Sequence, residues 1–175
     1  MRIFLVILGL IFFNDNLINY SNSDYHFEIT LPKDFKIEKD KYEEKFAYIE
    51  NIKISGSSDF SNGLISGTVV YRLICYKFAK KSIIDKDKLD FHKVVIAYSK
   101  HLNEKSLIKN DFQIQSTYEK KDTIFYILSN DSKGLIEHRK FIFHDSLTYC
   151  LSIMSNKSLL KTDYINDFFN SFKIK

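Results

Sequence analysis

The chain is poor in residues that interrupt or brace a fold. Its 175 residues include one proline, five glycines and two cysteines, and no tryptophan. So little proline and glycine excludes a Pro-rich or Gly-rich linker between domains, and no internal repeat marks a solenoid. The two cysteines do not form a C-x-x-C pair, so neither a thioredoxin-like redox centre nor zinc-ligand spacing is present. An excess of one charge is also missing: 26 basic and 22 acidic residues leave +4. Acids interrupt the lysine groups, as in KDFKIEKDKYEEK, which predicts a solvated mixed surface and no nucleic-acid partner.

Long hydrophobic runs are scarce too. Ile3 to Phe13 is an eleven-residue apolar stretch interrupted only by Gly9. A membrane-spanning helix needs roughly 20 such residues. With Arg2 before it and Asn14, Asp15 and Asn16 after it, the run fits the apolar part of a signal peptide. The expected organisation is a signal over residues 1–21, cleaved somewhere in Asn19 to Ser23, and one α/β domain over 24–175. The expected location is secreted or periplasmic, without stable transmembrane insertion after signal removal. No cysteine lies near the boundary to carry a lipid anchor.

What the chain does have is apolar and aromatic mass: 45% apolar residues and 15% aromatics, all Phe or Tyr. That suffices for a substantial core. Alternating apolar residues predict strands over 25–31, ended by Pro32, and over 46–55 and 64–78. The charged residues 38–45 read as a turn or a solvated helical start, and Gly56 to Gly63 as a loop. Phe91, Val94, Val95, Tyr98 and Leu102 recur at helical spacing and predict a helix over 88–105 packed on a sheet, with Asp87 or Asp90 as its cap. Further strands are expected over 112–116, 123–129, 135–144 and 147–155, joined by short turns as an antiparallel meander. Thr162 or Asp163 could cap a last helix, with Phe172 and Ile174 attaching the tail. The fold class is α+β: a single antiparallel β-sheet packed against a long central helix and a short C-terminal helix.

Candidate chemistry is sparse. Cys75 and Cys150 sit one in each of two predicted strands. Two separate, partly buried thiols are the favoured reading, and a disulfide between them is the alternative that export would permit. His26, His92, His101, His138 and His144 show no chelating spacing, and no metal or cofactor is assigned. Glu137 could pair with a cross-strand lysine or arginine, and Asp85 with Asp87 falls in a charged turn. Gly56-Ser57-Ser58-Asp59 reads as a turn rather than a nucleophile elbow, and phosphate-loop and dinucleotide motifs are missing. No catalytic residue is therefore named. Asn130-Asp131-Ser132 and Asn156-Lys157-Ser158 match the glycosylation triplet.

The order of features resembles the PsbP/Mog1-like fold. The carrying segments are YHFEITLPKDFK, the central DFHKVVIAYSKHL, the β meander and the closing DYINDFFNSFKI, with Phe168 to Phe172 the most suggestive element. The resemblance covers roughly 25–174 and rests on core and turn residues. It implies small exported bacterial proteins and a non-enzymatic scaffold or interaction role. The class also includes thylakoid-lumen photosystem subunits and a nuclear transport factor, whose binding functions map onto no residue here. The expected function is an exported, non-catalytic interaction or accessory domain with an envelope or extracellular protein as partner. Its oligomeric state is left open. The alternatives are an enzyme with a non-local active site and a structural envelope component.

Overall fold

The computed structural model describes residues 17–61, 66–81 and 90–175. The apolar run read as a signal lies outside the described residues. Those of the signal reading that are described, from Leu17 onward, open the first strand, β1 (Leu17–Asn22). It pairs antiparallel with β2 (Phe27–Pro32), which carries its apolar residues inward at alternate positions.

Next come β3 (Lys36–Glu43) and the 15-residue strands β4 (Ala47–Ser61) and β5 (Ser66–Lys80). After α1 (Phe91–Lys109) the meander follows as predicted: β6 (Gln113–Lys120), β7 (Thr123–Asn130), β8 (Leu135–His144) and β9 (Leu147–Asn156). The chain closes with α2 (Thr162–Ser171) and the short β10 (Lys173–Ile174). The α+β class is as expected, with a large antiparallel sheet of order β3-β4-β5-β9-β8-β7-β6 and two helices. The strands do not form one sheet, however. β1, β2 and β10 make a second, three-stranded sheet, because the Phe172–Ile174 tail returns to the edge of β2.

Three local readings are corrected. Residues 38–43, expected in a turn or a helix start over 38–45, belong to the strand β3. β3 is an edge strand with almost every side chain in water, so it shows no apolar alternation. Its order comes from cross-strand pairing with β4, including Lys41–Glu50 at 2.6 Å and Lys53–Glu38 at 2.9 Å. Gly56 to Ser61 likewise continues β4, paired through to Ser66. Gly56 sits under Pro32 and Phe35, where an added Cβ would lie 3.3 Å from the Phe35 Cβ. The last helix starts at Thr162 with Lys161 as N-cap and no side-chain capping bond.

The large sheet is covered on both faces. On one, Ile52, Ile54, Leu73, Tyr149, Leu151 and Ile153 meet β2 and the phenylalanines of α2. Phe27, Tyr149 and Phe172 pack ring on ring there, with centroids 5.0–6.3 Å apart. The other face lies under α1. Asp90 caps that helix through a bond from the Lys93 N–H, one of the two caps expected.

Candidate functional site

Of the apolar residues expected on the inner face of α1, Val95 is fully buried and Phe91, Val94, Tyr98 and Leu102 are half-buried. Val95, Ser99, Asn103 and Leu107 are its buried positions, a straight row at four-residue spacing. Two of the four are polar. Ser99 donates to the Thr148 hydroxyl on β9 at 3.2 Å. Asn103 accepts from the Arg139 guanidinium on β8. The sheet presents matching polarity beneath.

Strand parity explains how these groups converge. Arg72 on β5 stands opposite Ser152 on β9, and Ser152 stands opposite Arg139 on β8. Directly opposed residues share a face, so the two arginines flank Ser152 under α1, two strand spacings or about 10 Å apart at the backbone. Glu137 is two residues from Arg139 on the same strand and therefore on the same face. Arg139 donates to it through Nε and Nη2 at 2.9 and 3.0 Å, a two-pronged bond in which both residues are buried. Glu137 thus has an arginine partner, but along its own strand rather than across it. Arg72 is placed differently. Its Nε is buried and has no hydrogen-bond partner among the described residues.

A cavity of about 60 Å³ opens at this point between α1 and the sheet. Its polar lining is Arg72, Tyr76, Asn103, Ser106, Arg139 and Ser152. Ile74, Phe141 and Cys150 supply its apolar walls. The reactive side chains here are held in their neutral forms. Burial pushes the Cys150 thiol up to about 12, despite the opposing pull of Arg139 and Arg72. Burial also raises the Tyr76 phenol above its ordinary value. Fixed donors are plentiful, and a nucleophile ionised near neutral pH is lacking among these lining residues.

The remaining predicted groups are scattered. Cys75 and Cys150 are both buried free thiols in this structure. Cys75 stands opposite Tyr149, whereas Cys150 stands opposite Ile74, which puts the two thiols on opposite faces of the sheet. Bridging them would require a register shift of one residue. His92 and His144 do reach one end of the molecule, in an open cleft of about 450 Å³ with Asp122 and Asp145. His92 Nε2 lies 3.4 Å from Asp122, and Nδ1 lies 3.3 Å from the Asp145 carbonyl. No group of three or more potential ligands is arranged to hold a metal ion among the described residues. His101 is exposed, His138 lies half-buried on the α2 side of the sheet, and His26 occupies a turn with φ of 51°. Asp85 and Asp87 lie outside the described residues. The Asn130 side chain is buried and bonded to Asn110, Ser132 and Lys133, so its glycosylation triplet is structural. No described helix is long and apolar enough to cross a membrane.

Sequence reasoning missed Arg72, Arg139, Asn103, Ser106 and Ser152. The available signal was parity: Glu137 and Arg139 alternate with the same phase as Phe141 and Phe143, an apolar face that charge does not join without a partner.

No family model matches the chain, and no curated protein matches it. Among solved structures it is similar to that of cyanobacterial PsbP (CyanoP) from Synechocystis sp. PCC 6803. Identity is 13%, with 91% of this chain and 92% of that chain covered and a TM-score of 0.45. So remote a likeness transfers neither a ligand nor a residue role.

Proposed function

We propose that the protein is an exported accessory domain that binds its ligand without transforming it, and that the cavity between α1 and the large sheet is the binding site. The observation carrying this reading is the contrast inside the cavity. Hydrogen-bond donors are fixed by strand register and buried packing, while Cys150 and Tyr76, the groups that could act as nucleophile or base, are held protonated by burial. Such a site recognises charge and shape. Export rests on the N-terminal apolar run with its polar flank, and an envelope or extracellular setting follows from it.

The test is ligand recovery. Purified protein is incubated with envelope extract from the source organism, washed and examined by native mass spectrometry. A reproducible bound species is expected with the wild-type protein and not with Ser106→Trp, which fills the cavity from α1. A species retained equally by Ser106→Trp would move the binding site elsewhere. Substrate turnover lost on Arg72→Gln would replace this reading with the enzyme alternative.

A further inference from the structure

The polar row under α1 is unbalanced in charge. Arg72 and Arg139 contribute two guanidiniums, and Glu137 is the only carboxylate that either of them binds among the described residues. Arg139 is fully engaged, held by Glu137 on one side and Asn103 on the other. Arg72 is the group left over, with its Nε buried and unpartnered among the described residues, at the wall of the cavity. An unpartnered buried donor on a cation is costly, and a charge-assisted bond to an acceptor is the strongest way to offset that cost.

The acceptor must also be small. A water needs roughly 10–15 Å³ of such space, so a cavity of about 60 Å³ holds only a few waters or one compact ion. Sugars and nucleotides do not fit. The Nε edge of a guanidinium offers parallel donors matched to two oxygens of one planar group, and Ser106, Ser152 and Tyr76 add hydroxyls around the same space.

We infer that the cavity binds a small carboxylate, docked on the Nε edge of Arg72 and contacted by the hydroxyls of Ser106 and Ser152. This names the ligand class of the binding site proposed above and rests on that reading. Arg139 and Glu137 are positioning residues: their mutual bond keeps Glu137 from neutralising Arg72. The carboxylate is either a free small acid or the end of a peptide chain, and the two share this chemistry.

The test follows the Arg72 Nε–H resonance of ¹⁵N-labelled protein during titration with sodium acetate, with sodium chloride and sodium phosphate at matched ionic strength. Acetate is expected to shift the resonance saturably and to raise the melting temperature; chloride and phosphate are expected to give no saturation. Arg72→Gln should abolish the saturable rise in melting temperature. Arg72→Lys, which keeps the charge but loses the two-nitrogen edge, should weaken acetate about tenfold. It also keeps the test open if the glutamine variant does not fold. Acetyl-Ala-Ala with a free terminus is compared with its C-terminal amide: binding of the acid form assigns a chain end, and binding of acetate alone assigns a free acid. Saturation by phosphate in preference to acetate, or equal acetate binding by Arg72→Lys, would overturn the inference. Failure here with ligand recovery still blocked by Ser106→Trp removes the carboxylate and leaves the site. Acetate binding with recovery unaffected by Ser106→Trp removes the site's proposed role instead.

Discussion

On one side of the large sheet, Leu73, Tyr149 and Ile153 meet the rings of Phe27, Phe168 and Phe172. On the other, the same strands offer Arg72, Ser152, Arg139 and Glu137 to α1. The first side is stabilised by apolar area and ring packing. The second holds a buried ion pair whose Coulomb attraction is opposed by desolvation, so it adds little to stability while fixing the positions of its groups. On that second face the Arg72 Nε is a buried donor with no partner among the described residues. The division is partial, because α1 also packs Val95 against Ala47, Ile49 and Phe78, but the polar row of the candidate site lies beneath α1 alone.

That division is broken most severely on the dry side. Phe27 is fully buried and packs on both Tyr149 and Phe172. Phe27→Ala is expected to cost about 4 kcal/mol of unfolding free energy, measured by urea denaturation. The polar side should respond differently. Glu137→Ala strands the Arg139 charge in the interior and should cost about 3 kcal/mol. The double variant Glu137→Leu with Arg139→Met removes both charges and should return to within about 1 kcal/mol of the wild type. A double variant as unstable as the single one would show that the pair is part of the packing and not merely its own counterweight.

The same contrast explains what could be read in advance. The strands β7 to β9 were legible because their turns and inward residues agree, as at Gly134, whose φ of 63° closes the turn after β7. α1 was legible as a helix with Phe91, Val95 and Tyr98 toward the sheet, but Ser99 and Asn103, which share its buried side, carry no apolar signal. β3 was misread because an edge strand with water on both sides leaves no alternation to detect. The site was hidden for a related reason. Arg72, Ser152 and Arg139 are far apart in sequence and become neighbours only through strand order and register, which no local pattern states.

A smaller effect is expected where the dry side meets the N-terminus. Tyr20 of β1 packs against Phe35 and Phe27 with centroids 5.1 and 6.0 Å away, and Thr30 donates to Asn19 at 2.8 Å. Cleavage anywhere in Asn19 to Ser23 would cut within or just after this strand. A chain beginning at Leu17 should therefore be more stable than one beginning at Asp24, by about 2 kcal/mol, the scale of burying one large side chain. Denaturation of the two forms side by side measures the difference. Equal stability would mean that β1 is dispensable to the dry core and that cleavage at the expected positions leaves the domain intact.

The finest test uses His138, on the same side of the sheet. His138 points to the α2 side of the sheet, opposite Ile127 on one neighbour and Ile153 on the other. Burial holds its pKa below the ordinary 6.5. Above that value both folded and unfolded chains carry the neutral ring, and the contribution to stability is complete. As pH falls below it, the unfolded chain takes up a proton that the folded chain resists, so stability declines through this window. His138→Gln should flatten the decline between about pH 7 and pH 5, a range above the ordinary titration of the carboxylates. Unfolding free energies measured across that range for both forms decide the matter. An unchanged slope in the variant would place the acid sensitivity on another group and leave the dry side indifferent to pH.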